Sequence, residues 1–174
     1  MKVTAIILAS GKGNRFGLPK AEVKIQGQSF LEKIKETLSQ ADVDDIFTAR
    51  YKNTTDMLAT LRLAVKELKN KQKNSGFLIF PVDFPFVQAK TVQELIKCHK
   101  QNPDAIIRPV YQNKSGHPVL LPFLLNLEQD DKKKGLKYII QNCGLPIFDV
   151  PVEDDGILKN INTKEDLELW MPKN

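Results

Sequence analysis

An apolar run, Val3 to Ala9, opens the chain and shows no alternation with charged residues. A strand with one wet face alternates, whereas a strand covered on both faces does not. The run therefore predicts a buried parallel strand in a helix-covered sheet. It ends at Ser10 and passes directly into a loop carrying Gly11, Gly13 and Gly17 among the cations Lys12, Arg15 and Lys20. Glycines let backbone N–H groups approach an anion closely, and the cations supply charge. A triphosphate needs both, which makes nucleotide handling the leading expectation.

The rest of the chain repeats this rhythm. Asp45 to Ala49, Phe77 to Val82, Ala105 to Val110, His117 to Leu121 and Ile147 to Val152 read as further strands. Between them lie helical patterns. Ser29 caps a helix with Phe30, Leu31, Ile34 and Leu38 on one face. Thr54 or Thr55 caps a second, with Met57, Leu58, Leu61, Val65 and Leu68 at helical spacing. A third surrounds Thr91 to Lys100. Pro122 suits the first turn of another. Gly135 to Asn142 reads as a helix stopped at Gly144, and Thr163 with Asp166 forms a capping box for the last. Methionines and aromatics on the helices read as core. Strands alternating with helices imply a mainly parallel sheet covered on both faces, in one domain over residues 1–174.

Bulk properties narrow the function. The net charge of +5 suits an anionic ligand, yet the basic residues are scattered and are not interleaved with aromatics, so no nucleic-acid partner is expected. No stretch approaches the ~20 apolar residues of a membrane span. Cys98 and Cys143 have no C-x-x-C partner, and with two histidines they form no zinc pattern. A cytoplasmic protein, monomeric or a small homo-oligomer, is expected.

The glycine loop excludes two common phosphate sites. No Lys-Ser or Lys-Thr pair follows the glycines, so the Walker pattern fails. The dinucleotide pattern G-x-G-x-x-G finds Phe16 at its third glycine, and Pro19 interrupts the helix that should follow. What stands instead is L-A-S-G-K-G-N-R-F-G-L-P-K, residues 8–20. It resembles the signature of the MobA-like nucleotidyltransferases, relatives of the sugar-nucleotide pyrophosphorylases. Phe80-Pro81-Val82-Asp83-Phe84-Pro85-Phe86 resembles the same family's metal-binding aspartate motif. Asp83 is its sole acid and follows an apolar strand, where it can hold Mg²⁺; capping of the next helix is the alternative.

Four further stretches carry the resemblance more weakly. Gly116-His117-Pro118-Val119 is similar to a segment of the molybdopterin cytidylyltransferases. There Gly116 permits close approach, and His117 either meets a substrate phosphate or holds the loop. Asn160-Ile161-Asn162-Thr163 stands where cytidylyltransferases carry D-I-D-T, and is closer to the guanylyltransferase branch. It offers Asn160 as an uncharged metal ligand, or as a residue that satisfies backbone before the helix cap. Thr60 can replace a serine hydroxyl near the nucleoside, with Asp56 in a glycine's place. Lys137 stands where an Arg near the second substrate is expected.

The resemblance implies a three-layer α/β/α, nucleotide-diphospho-sugar transferase (GT-A-like) fold. It also implies a Mg²⁺-dependent transfer of NMP from an NTP to a phosphorylated small-molecule acceptor, with pyrophosphate released. GTP and CTP both remain open, as does the acceptor: a molybdopterin-like cofactor or a sugar or polyol phosphate. The implied nucleotide site is Leu8, Ala9, Ser10, Gly11, Lys12, Gly13, Arg15, Lys20 and Thr60. Gly116, His117 and Lys137 would meet the acceptor. Asp83 and Asn160 would hold the metal, and Arg15, Lys20 and Asp83 would be catalytic. A nucleotide-binding or regulatory protein of the same fold with little turnover is the alternative.

Overall fold

The structure is a computed structural model and describes residues 2–11, 16–54, 56–71, 75–128 and 135–171. Its centre is a sheet ordered β4-β1-β5-β8-β6-β7, with β9 also paired to β6. The strands are β1 (Val3–Leu8), β4 (Asp45–Ala49), β5 (Gly76–Pro81), β6 (Ile106–Tyr111), β7 (Lys114–Ser115), β8 (Val119–Pro122) and β9 (Ile147–Pro151). β1 pairs in parallel with β4 and β5, and β6 with β9. β8 lies antiparallel between β5 and β6, and β7 antiparallel to β6. The sheet is thus mainly parallel with two reversed strands.

Every residue of β1 and of β5 is buried, as the unalternated sequence requires. Successive side chains serve opposite faces. Ala5 and Ile7 pack with Phe30, Ile34 and Leu38 of α1 (Phe30–Gln40) and with Val92 and Leu95 of α3 (Ala89–Gln101). Ile6 and Leu8 pack with Leu61 and Val65 of α2 (Met57–Lys71) and with Ile139 of α4 (Gly135–Asn142). Helices therefore cover both faces, and Leu167 of α5 (Lys164–Trp170) adds to the α1–α3 side. Among the described residues no helix is long and apolar enough to cross a membrane.

Local chemistry explains the helix starts. Ser29 accepts the Glu32 N–H while Glu32 accepts the Ser29 N–H, a complete capping box. Thr163 and Asp166 do the same for α5. The cap of α2 differs from expectation: Asp56 Oδ1 accepts the Ala59 N–H at 2.8 Å. Thr54 instead donates its hydroxyl to the Tyr51 carbonyl, and Thr55 lies outside the described residues.

Two other expectations are corrected. Pro122 ends β8 opposite Gly76 and starts a turn, not a helix. A strand end needs no ladder N–H, so proline is tolerated there. Met57 and Trp170 are 49% and 38% exposed, so neither belongs to the core. The sequence also gave no hint of a hairpin of β2 (Lys24–Ile25) and β3 (Gln28–Ser29), joined at Gln26 and Gly27, both with positive φ.

Candidate active site

The carboxyl ends of β1 and β5 lie side by side, with the Val82 N–H donating to the Leu8 carbonyl at 3.2 Å. β4 ends on the other side of β1, where Ala49 accepts the Ala9 N–H at 3.0 Å. A cleft of about 780 Å³ opens over these ends. That is within the usual range for a small-molecule site. Leu8, Ser10, Gly11, Lys20, Thr60 and Asp83, which the sequence offered for the nucleotide or the metal, all line it. Ala9 is buried behind the wall. Lys12, Gly13 and Arg15 lie outside the described residues.

Lys20 and Asp83 reach each other across 63 positions of the sequence. Lys20 begins a 3₁₀ turn, Lys20–Glu22, whose Ala21 is buried, and nearby Phe16 packs edge-on against Phe30. These apolar anchors fix the backbone under Lys20. Its Nζ lies 3.1 Å from Asp83 Oδ2 and 2.6 Å from Asn162 Oδ1. The two charged side chains are about one-fifth exposed, at 18% and 20%. The Asp83 carbonyl accepts the N–H of Ile161, a fully buried residue, at 2.8 Å. That bond sets Asn162 beside Lys20. The Asn162 N–H in turn donates to Asp166 Oδ2 at 2.9 Å. This bond, then that of the Thr163 N–H, holds the Asp166 carboxyl below its ordinary pKa, with a weaker pull from Lys20.

The sequence pointed to Asn160 where the structure brings Asn162. Asn160 is exposed, and its N–H donates to the Leu158 carbonyl at 3.1 Å. Among the described residues no three His, Cys, Asp or Glu side chains cluster to hold a metal alone. One carboxylate and one amide oxygen converging on a single point are hard donors. They fit a cation that completes its shell with phosphate oxygens and water.

Two hydroxyls expected at the ligand are committed to the protein. Ser10 Oγ accepts the Tyr51 N–H at 3.0 Å and donates to the Ala49 carbonyl, tying the ends of β1 and β4. Thr60, 1% exposed, donates to Thr54 Oγ1 at 2.9 Å or to the Asp56 carbonyl at 3.1 Å. Both shape the cleft wall by holding the segment after β4. Tyr51 anchors it further: its hydroxyl donates to Glu67 at 3.0 Å, and burial followed by that carboxylate pushes its pKa up to about 12. Lys52 also lines the cleft and was not foreseen. Its signal was a cation just past the carboxyl end of a strand.

Gly116, His117 and Lys137 do not line this cleft. Gly116 is needed for packing, because a Cβ there would collide with the Ile157 carbonyl. The His117 N–H donates to that same carbonyl at 3.0 Å. The His117 ring lies 4.8 Å from the Phe84 ring, next to Asp83 in sequence. Burial lowers its pKa, and the Asp83 charge opposes this. Its Nδ1 is buried with no hydrogen-bond partner among the described residues. Lys137 is exposed on α4.

One buried acid lies behind the site. Asp154, 3% exposed, accepts from Thr91 Oγ1 at 2.6 Å and from the N–H groups of Gln88 and Gly156, each at 2.9 Å. It clamps the start of α3 to a 3₁₀ turn, Asp155–Leu158, which includes Ile157.

Known proteins resemble this chain over most of its length. The probable molybdenum cofactor guanylyltransferase of Bacillus cytotoxicus is 25% identical, over 94% of each chain. The bifunctional protein GlmU of Legionella pneumophila is also 25% identical over 99% of this chain, which spans only 41% of that relative. Rv0371c from Mycobacterium tuberculosis superposes with a TM-score of 0.80 at 20% identity, over 97% and 96% of the two chains. Its structure in complex with manganese gives 0.78 at 17%, over 97% of each. These likenesses show the fold. The MobA-like NTP transferase domain matches residues 5–55 and 47–146. That span takes in both the loop after β1 and Asp83, so the chain belongs to the MobA-like NTP transferase family and is a nucleotidyltransferase.

Proposed function

We propose that the protein transfers NMP from an NTP to an acceptor phosphate and releases pyrophosphate, with a divalent cation at Asp83. The observation that carries this reading is the meeting of Lys20 and Asp83, which line the cleft, with Asn162. The backbone around Gly11 receives the triphosphate. Lys20 turns to the α-phosphate and meets the negative charge that develops there, while Arg15 neutralises the leaving pyrophosphate. Asp83 and Asn162 are the residues that would hold the cation. When bound, it supplies charge neutralisation between phosphate and acceptor. An acceptor phosphate is already ionised and needs no protein base, so positioning and charge do the chemistry. The name of the full-length Bacillus relative favours GTP and a molybdopterin-type acceptor, and the manganese complex of Rv0371c supports a divalent ion.

Pyrophosphate release is measured with each of the four NTPs, Mg²⁺ or Mn²⁺, and candidate acceptor phosphates. Turnover should favour GTP and fall by about 10²–10³ in Asp83→Ala and in Asn162→Ala, the scale of losing one charge-stabilising group. Asn160→Ala should stay near the parent. Parent-like turnover in both of the first two variants sinks the reading. Nucleotide binding without turnover under any acceptor would mark a regulatory protein instead.

A further inference from the structure

Lys20 Nζ stands between the two oxygens, Asp83 Oδ2 and Asn162 Oδ1, that fit a metal ion. Its distances, 3.1 and 2.6 Å, are those of ammonium hydrogen bonds. A Mg²⁺ ion bound to the same oxygens would sit ~2.0–2.1 Å from each. The two cations cannot share that place, because they repel and because their oxygen contacts coincide. One of the parties must yield. Asn162 is held through its N–H by Asp166, and the neighbouring Ile161 N–H by the Asp83 carbonyl. The backbone under Lys20 is pinned by Ala21 and Phe16. What remains free to move is the flexible four-carbon stem of Lys20 and its ammonium.

We infer that Lys20 is a built-in counter-ion that blocks the metal position until a nucleoside triphosphate draws it away. Without nucleotide, a divalent ion must displace an ammonium that then has no anion to meet. With nucleotide, the phosphates receive the ammonium, and the vacated oxygens receive the metal. Metal and nucleotide therefore bind with positive coupling, and free protein holds metal weakly. This coupling is reciprocal by thermodynamic necessity. The inference rests on the proposed metal role of Asp83 and Asn162, and adds that Lys20 opposes the metal when no nucleotide is bound.

Mn²⁺ binding to the free protein, followed by the loss of the free-ion electron paramagnetic resonance signal, tests it without turnover. Lys20→Met should bind Mn²⁺ alone about tenfold tighter than the parent, a change of ~1.4 kcal/mol. The gain should vanish in the double variant Lys20→Met/Asp83→Asn. Adding an α,β-methylene analogue of GTP or CTP should tighten Mn²⁺ in the parent and do so less in Lys20→Met. Lys20→Gln asks the same question should the methionine variant fold poorly. If the parent binds Mn²⁺ with the analogue but neither Lys20 variant gains affinity for Mn²⁺ alone, the blocking role is wrong and the metal site stands. If the parent binds no Mn²⁺ even with the analogue, both fall.

Discussion

Replacing Asp154 should destabilise the protein from behind the active site. Its carboxyl is 3% exposed and receives three donors: Thr91 Oγ1 at 2.6 Å and the N–H groups of Gln88 and Gly156 at 2.9 Å. A hydrogen bond to a charged group contributes ~1.5–3 kcal/mol net. Three would sum to ~4.5–9 kcal/mol if they were independent, but they share one acceptor group. Removing the side chain also removes its own desolvation cost. Asp154→Ala should therefore cost about 3 kcal/mol, chiefly through the buried N–H groups it strands. At ~2–4 °C per kcal/mol for a chain of this size, the melting temperature falls by ~6–12 °C. Thr91→Val removes one donor and leaves the other two satisfied, so about 1 kcal/mol is expected. Urea denaturation at pH 7 measures both, with Asp155→Ala as the control. Asp155 is half-exposed and pairs with Lys159 at 2.8 Å, so it should change stability by less than ~1 kcal/mol. A loss below ~1 kcal/mol for Asp154→Ala would refute the clamp, as would a loss for Asp155→Ala of equal size.

Acid should weaken the fold ahead of any carboxylate titration. Burial depresses the pKa of both His99 and His117 below 6.5. Unfolded chains therefore take up these protons first, and stability present above about pH 6.5 is lost as the pH falls, by up to ~1.4 kcal/mol per pH unit per histidine. Urea midpoints at pH 7.5 and 5.5 read this directly, and a flat profile between them would contradict it; His99→Leu should flatten part of the slope. Gly116→Ala forces a methyl onto the Ile157 carbonyl and should cost ~1–3 kcal/mol with a fall in turnover. Parent-like melting would show that the segment has room.

The sequence revealed what depends on local pattern. β1 and β5 were legible because strands covered on both faces have no polar alternation. Ser29 and Thr163 announced their helices because each brings its own capping partner three residues on. Lys20 and Asp83 were legible as motif residues, each following a recognisable strand or loop. What the sequence did not show is non-local. Asn160 and Asn162 look alike in sequence, and what sets Asn162 beside Lys20 is a bond from Ile161 to the carbonyl of Asp83, nearly eighty positions away. Ser10 and Thr60 have hydroxyls suited to a ligand, but backbone and side-chain partners across the fold already use them. Two-residue strands such as β2 and β3 are too short to show a period.

The place of β8 has a consequence for how the chain is made. β1, β4 and β5 are complete in sequence by Pro81, yet β5 waits for β8, which begins at Val119. The intervening 37 residues, 82–118, take ~2–7 s to synthesise at ~5–20 residues per second. Throughout that interval β5, apolar on both faces, has one open edge. Unpaired apolar edges recruit other strands. The period of greatest exposure to aggregation should therefore fall while this stretch is emerging, and stalling there should trap chains that full-length synthesis would protect.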